Sequence, residues 1–366
     1  MKEKSVEGVR VGEIRYHDFR NLAVVELNAG PGVNLIVGPN AQGKTNLLEG
    51  LHLLSTGRLL RGSREAQAVR HDQPRAAVEA ALQPHGTTVR VNIEPGVRKR
   101  ALINGLGLPR AADLIGRLPS VSFSSQDLAV VSGEPADRRH LLDTELSQVY
   151  PAYLNHFSVY KRALEQRNAL LRRAQESHVE DEAFEVWEEQ LAHHGAAMRV
   201  QRQEWVDGLA DLATERHAAL GDGEVLSVSY RAADQGELSQ SLASNRGHDI
   251  HRGSTSVGPH RDDLDIQVAG AEARHFGSQG QQRTAVVAIK LAVLALAERA
   301  FGFPPMLLLD DIFSDLDDRR RSHLMDVAFE AGGQVFVTCT EAEQAGAKLL
   351  GSAKIFRVKC GRLEEK

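Results

Sequence analysis

The run Gly38-Pro39-Asn40-Ala41-Gln42-Gly43-Lys44-Thr45 carries the most specific chemistry in the chain, because it fits GxxxxGK[ST]. Glycines at its two ends let backbone N–H groups turn inward around a phosphate. The lysine reaches the outer phosphate oxygens, and a hydroxyl at the last position can ligate magnesium. The apolar stretch Val33–Val37 precedes the run, and Asn46-Leu47-Leu48-Glu49-Gly50-Leu51 continues it with helical character. Strand, loop and helix N-terminus thus follow one another, and the helix end adds positive partial charge at the phosphate. A simple glycine turn would share the fixed residues but not these flanks.

Three further groups bear on the same chemistry. Met306-Leu307-Leu308-Leu309-Asp310-Asp311 reads as a buried strand that ends in two carboxylates. The first suits a water-mediated magnesium contact, the second a general base for an attacking water. Ser278-Gln279-Gly280-Gln281 opens a helix that is apolar nearly all round, and it offers an anion a hydroxyl, backbone N–H groups and a helix N-terminus. Gln126 follows a strand-like segment at 118–123, where a glutamine can ligate magnesium and orient water. Ser314-Asp315-Leu316-Asp317 supplies a turn after the paired acids, and 334–338 a further buried strand.

Each group has a plain explanation alone: Asp310 and Asp311 as a strand end, Ser278 as a helix cap, Gln126 as an ordinary loop residue. Together, in chain order from the P-loop through Gln126 and Ser278 to the paired acids and the turn after them, they describe the head of an ABC-type ATPase that uses ATP and Mg2+. The expected nucleotide contacts are Gly38, Pro39, Asn40, Ala41, Gln42, Gly43, Lys44, Thr45 and Asn46, joined by Ser278, Gly280 and Gln281. Thr45, Asp310 and Gln126 are the expected metal ligands, and Lys44, Gln126 and Asp311 the expected catalytic groups.

The elements that must position these groups are legible in outline. A chain of 366 residues exceeds one typical core, so two or three compact units are expected. Strands are predicted at 11–16, 23–27, 78–82, 89–93, 101–103, 225–230 and 264–268. From 137 to 220 the pattern is helical, with apolar stripes at Phe157, Tyr160, Leu164 and Leu171 and at Phe184, Trp187, Leu191 and Met198. The polar segment 172–185 reads as the turn of a two-helix hairpin, and 232–246 as loop or weak helix. The fold class is therefore α/β, a P-loop head with mixed sheets and a mainly helical second lobe inserted between Walker A and the signature serine. The expected boundaries are 1–135 and 251–366 for the two halves of the head and 136–250 for the lobe.

Net charge is −5, so any nucleic-acid binding has to come from local patches. Candidates are the Gly- and Arg-rich loop at 56–64 and the turn Arg98-Lys99-Arg100. Two cysteines are too few for a disulfide framework, and no apolar leader or unbroken membrane-length run is present. A cytoplasmic protein without membrane insertion is expected.

Beyond the ATPase motifs, Asp18-Phe19-Arg20-Asn21, Gly133-Glu134-Pro135 with Arg138-Arg139 and Leu142-Asp143, and Gly258-Pro259-His260-Arg261-Asp262-Asp263 resemble the bacterial RecF family over nearly the whole chain. That resemblance implies an SMC-like head without the long coiled coil. It implies ATP-dependent dimers on double-stranded DNA and work with RecO and RecR in loading RecA at gaps, within recombinational repair and the SOS response. It makes Asp310 and Asp311 the Walker B pair, Ser278 to Gln281 the signature motif and Ser314 to Asp317 the D-loop. Two departures point to a weak DNA-stimulated ATPase, a switch rather than a motor. Asp311 stands where ABC heads commonly carry glutamate, and Cys339 and Thr340 stand where they often carry a histidine. A transporter-type or other SMC-like ATPase subunit and a small-molecule P-loop kinase are the competing readings. The long helical insertion argues against the transporter, and the signature motif against the kinase.

Overall fold

The computed structural model describes residues 8–60, 65–220, 223–312, 318–330, 332–346 and 350–365. They form two compact units, Met1–Asp127 with Val293–Lys366, and Leu128–Ala292. The expected boundaries differ: the second unit reaches beyond 250 and takes in Ser278, so the segment 251–366 is shared between the two.

The first unit holds two six-stranded sheets. One is antiparallel, built from β1 (Arg10–Phe19), β2 (Leu22–Asn28), β4 (Ala76–Gln83), β5 (Thr87–Ile93), β6 (Arg100–Ile103) and β7 (Leu106–Gly107) in the order β2-β1-β4-β5-β6-β7. In β1, Ile14 and Tyr16 are buried while Arg15 and His17 face solvent, the alternation expected of a sheet with one covered face. The other sheet has the order β15-β14-β3-β13-β12-β8. Its strands are β3 (Val33–Val37), β8 (Ser120–Ser124), β12 (Met306–Asp310), β13 (Val335–Cys339), β14 (Lys354–Lys359) and β15 (Arg362–Glu365), parallel except for β15 on the edge. Its central strands are nearly continuous apolar runs, as burial on both faces requires.

Helix α1 (Lys44–Thr56) leaves β3 and is buried over most of its length. Leu47, Leu48, Leu51 and Leu54 join Tyr16, Val78, Phe336 and Phe356 in one core. Each leucine so buried contributes about 1.5–3 kcal/mol, which holds the helix start in place at the end of β3. The sheet order has a functional consequence. β8, β12, β13 and β3 are parallel neighbours, so the residues that leave their carboxyl ends gather along one edge, where open α/β sheets bind ligands.

The second unit is mainly helical; it begins with the short α2 (Ala129–Ser132), and the short α8 (Ala273–Phe276) precedes its last helix. The stretch expected as helical from 137 to 220 contains three helices, α3 (Pro135–Val149), α4 (Pro151–Ala174) and α5 (Asp181–Leu220). Tyr150 breaks the first from the second because Pro151 cannot donate a backbone hydrogen bond and suits a first turn. The turn expected over 172–185 is shorter. Arg172 and Arg173 prolong α4, where cations suit the helix C-terminus, and Asp181 and Glu182 start α5, where carboxylates suit the N-terminus. The polar stretch 232–246 contains α6 (Leu238–Ser244), followed by α7 (Arg246–Arg252). A three-stranded sheet of β9 (Leu226–Arg231), β10 (Asp263–Val268) and β11 (Ala271–Glu272) completes the unit, with the start of α9 (Gln279–Phe301).

The apolar stripes are only partly the seam of α4 and α5. Tyr160, Leu171, Phe184, Leu191 and Met198 are buried, but Phe157, Leu164 and Trp187 are half-buried. Their places inside are taken by Ala163, Arg167, Glu188 and Arg202. No described helix is long and apolar enough to cross a membrane.

Candidate functional site

At the end of β3, Gly43 takes φ 112°, a left-handed conformation, and a Cβ there would meet Asn21 Oδ1 at 2.6 Å. A Cβ on Gly38 would collide with the carbonyl oxygen of Val358. Gly43 is thus required by the turn of the loop and Gly38 by its packing against backbone. The loop is braced from outside. Gln42 Oε1 accepts the Cys360 N–H at 2.6 Å, its carbonyl accepts from Gly361 N at 3.1 Å, and Asn46 Nδ2 donates to Asn21 Oδ1 at 2.8 Å. Gln42 and Asn46 therefore hold the loop with their side chains, while Pro39, Asn40 and Ala41 lie exposed at its tip.

Lys44 is buried, and its Nζ donates to the carbonyls of Gly38 at 2.6 Å and Pro39 at 3.0 Å. Burial pulls its ammonium below the ordinary lysine value, while the nearby Asp311, Cys339 and Asp310 act in the opposite sense. Thr45 Oγ1 donates to Asp310 Oδ1 at 2.8 Å, and the same oxygen accepts Thr338 Oγ1 at 2.9 Å. Thr45 thus ties the P-loop helix to the acid-ended strand, and Thr338, on the strand between β3 and β12, holds the same carboxylate from the sheet. Thr338 Oγ1 also accepts the Asp311 N–H at 2.8 Å. Asp311 itself stands at φ 51°, a left-handed position rare for a residue other than glycine. Gln126 lies exposed on a short turn after β8, two residues beyond Ser124, which pairs with Asp310 across the sheet. The structure therefore brings Lys44, Thr45, Asp310 and Asp311 together and places Gln126 at the same sheet edge.

These residues fit a nucleotide phosphate and a divalent cation. The first turn of α1 has no side-chain cap, so its N–H groups are available to an anion. The hard oxygens of Thr45 and Asp310 are paired at 2.8 Å. Among the described residues no group of three or more His, Cys, Asp or Glu could hold a metal. The hydroxyl and carboxylate pair of Thr45 and Asp310 suits Mg2+, which takes one or two protein oxygens and completes its shell from phosphate and water. Cys339 is fully buried, and burial pushes its thiol up to about 12, so it is neutral at physiological pH. Thr340 bonds Gln344 Oε1 at 3.0 Å. Neither residue offers the titrating group of a histidine. The expected turn Ser314-Asp315-Leu316-Asp317 lies outside the described residues, as do Arg61 to Arg64 of the Arg-rich loop.

On the second unit, Ser278 is exposed at the start of α9. Its Oγ accepts the Gln281 N–H at 3.2 Å, and Gln281 Oε1 accepts the Ser278 N–H at 2.7 Å, a reciprocal capping box. Gln281 also donates to Glu224 at 2.6 Å. Ser278 and Gly280 are therefore presented outward on a fixed helix start, whereas the Gln281 side chain is engaged in holding it.

The remaining motifs of the RecF resemblance meet inside this unit. Arg138 forks onto Asp263 at 2.7 and 3.0 Å, and Arg139 donates to the Asp262 carbonyl at 2.9 Å. Arg202 bonds Asp143 at 2.6 Å and the Pro259 carbonyl at 2.7 Å. Burial alone would raise the Asp262 carboxyl, but bonds from Arg199, Tyr230 and the Ala233 N–H hold it below its ordinary value. His260 is pushed down to about 4, chiefly by burial, and receives Tyr160 at Nδ1 at 2.7 Å. These residues form the polar core of the second unit. Thr338 and the brace from Asn21 were missed as site residues because nothing local distinguishes a threonine in a buried strand or an asparagine in a turn.

The family model described as RecF/RecN/SMC N terminal domain matches residues 10–359. A DNA replication and repair protein RecF from Symbiobacterium thermophilum is 39% identical over 359 residues, covering 94% of this chain and 95% of that protein. A solved structure of the recombination mediator protein RecF-ATP in the RecFOR pathway superposes with a TM-score of 0.91 at 30% identity, covering 100% of both chains. The Smc head domain of Pyrococcus furiosus, at 14% identity and a TM-score of 0.57 over 98% of this chain and 96% of its own, shares the fold. The chain belongs to the RecF/RecN/SMC N-terminal domain family and, within it, to the RecF proteins.

Proposed function

We propose that the chain is a cytoplasmic ATP-dependent DNA-binding protein of recombinational repair, in which ATP joins two copies on double-stranded DNA and slow hydrolysis parts them. One observation carries this reading: the bond from Thr45 to Asp310, beside Lys44, joins a P-loop to an acid-ended strand. The names of its relatives, a DNA replication and repair protein and a mediator in the RecFOR pathway, support repair as the setting and RecO and RecR as partners in loading RecA.

Lys44 neutralises outer phosphate charge, Thr45 and Asp310 hold the divalent cation with Gln126 at the same edge, and Asp311 takes the proton of the attacking water. Bound Mg2+ supplies the charge neutralisation that the protein's few oxygens cannot. Ser278 and the Gly280 amide, exposed on the second unit, meet the nucleotide held by a second copy. Loss of those contacts on hydrolysis biases the dimer toward parting. Asp311 is one methylene shorter than glutamate and Cys339 is a neutral thiol, and both support slow turnover.

Ser278→Arg tests the dimer. It leaves the P-loop untouched, so ATP affinity stays within about twofold, while ATP-dependent mass in sedimentation remains that of one chain. Normal dimers in this variant would remove Ser278 from the interface. Asp311→Asn keeps the size of the side chain but not the base, so turnover falls by about 100-fold and the ATP dimer outlives that of the parent protein. Unchanged phosphate release would take Asp311 out of the chemistry.

A further inference from the structure

The solvent face of the antiparallel sheet carries an open depression of about 290 Å³. Its origin is a small residue in a row of larger ones. Across the strands, His17 pairs with Ala77, Ala77 with Asn92, and Asn92 with Arg100, so the alanine leaves a dip between longer neighbours. The rim carries Arg75, Arg90, Arg98 and Arg100 against one carboxylate, Glu94.

The four cations are not equivalent. Arg90 is engaged, donating to Asn92 Oδ1 at 2.8 Å and Glu79 at 3.4 Å. The side chains of Arg75, Arg98 and Arg100 are exposed and make no hydrogen bond or ion pair among the described residues. Lys99, between two of them in sequence, is turned to an ion pair with Glu65 and is absent from the rim. The basic turn is therefore divided: two arginines serve the depression, and the lysine serves the fold.

Like charges at such spacing repel, and the face becomes favourable when a polyanion lies on it. Guanidinium forks match phosphate oxygens in pairs. No Phe, Tyr or Trp lines the depression, so it offers no stacking platform for unpaired bases and no aromatic anchor for a protein partner. The backbone of a duplex needs neither.

We propose that the depression over Ala77, rimmed by Arg75, Arg90, Arg98 and Arg100, binds the phosphodiester backbone of double-stranded DNA. This rests on the DNA-binding reading above and adds the place and the residues. Contacts of this kind are independent of sequence and weaken steeply with salt.

The test is the anisotropy of a labelled duplex, with ATP present, over a series of salt concentrations. The parent protein is compared with the triple variant Arg75→Ala/Arg98→Ala/Arg100→Ala and with Lys99→Ala. Three lost phosphate contacts lower the slope of log affinity against log salt by about 2.7 and cut affinity by about tenfold or more. Lys99→Ala keeps the parent slope, and the ATP-dependent mass of the triple variant is unchanged. Arg98→Glu, a single change on an exposed turn, shifts affinity in the same direction and covers a triple variant that folds poorly. A parent-like slope in the triple variant overturns the proposal and leaves an acidic protein surface as the occupant. An equal loss in Lys99→Ala also overturns it, reducing the effect to net charge. A parent protein that binds no duplex with ATP overturns the DNA-binding reading itself.

Discussion

Lys44→Met weakens ATP binding by at least about 100-fold and, with it, removes the ATP-dependent dimer. The Nζ of Lys44 is held by two loop carbonyls at 2.6 and 3.0 Å, within a buried pocket whose nearest charges are Asp311 and Asp310. A phosphate competes well for this ammonium, because charge-assisted hydrogen bonds are stronger than those to neutral carbonyls. Two such bonds at about 1.5–3 kcal/mol each account for the expected loss. Methionine fills similar space without the charge, so the loop braced by Asn21, Gln42 and Asn46 keeps its shape. Titration of a fluorescent ATP analogue and light scattering with saturating ATP report the two effects. Dimers that persist with ATP in this variant would contradict the sandwich, since nothing else in the proposal joins the copies.

Arg167→Met destabilises the second unit by about 3–5 kcal/mol, a large part of the total stability of a typical domain. Arg167 is fully buried on α4, and its fork reaches Glu188 on α5 at 2.9 Å, Asp249 on α7 at 2.7 Å, Thr255 at 2.9 Å and the Leu242 carbonyl of α6 at 3.1 Å. All five of its N–H donors are directed at acceptors, so one side chain ties four helices. In the variant Glu188 keeps Arg246 at 2.6 Å, but Asp249, with no exposed surface, loses its cation. An uncompensated buried carboxylate is the costly outcome. Both tryptophans of the chain, Trp187 and Trp205, lie on α5, so fluorescence during urea unfolding follows this unit. The midpoint falls at an unchanged slope, and Arg167→Lys recovers only part of the loss, because a point charge cannot replace the fork. A shift below about 1 kcal/mol would show that the network contributes little beyond the apolar seam.

What the chain determined by itself is what lies within a short reach of sequence. The P-loop is one contiguous strand, loop and helix start, and its glycines, lysine and threonine have chemical roles that need no partner to be recognised. The paired acids at the end of an apolar run, and the serine at the head of an apolar helix, were legible for the same reason. The order of these motifs was enough for the head fold, since each sits at the end of an element that hydropathy alone outlines.

Tertiary structure alone decided which distant groups meet. Thr338 came to share the Asp310 carboxylate with Thr45 only through the strand order that inserts β13 between β3 and β12. Arg98 and Lys99 are neighbours in sequence, yet Arg98 lines the depression while Lys99 is turned to Glu65, a division no local pattern announces. Arg167, Glu188 and Arg202 lie in the seam where an apolar pattern is expected. A buried charge is tolerated only when its partners arrive from other helices, and no local pattern encodes that arrival.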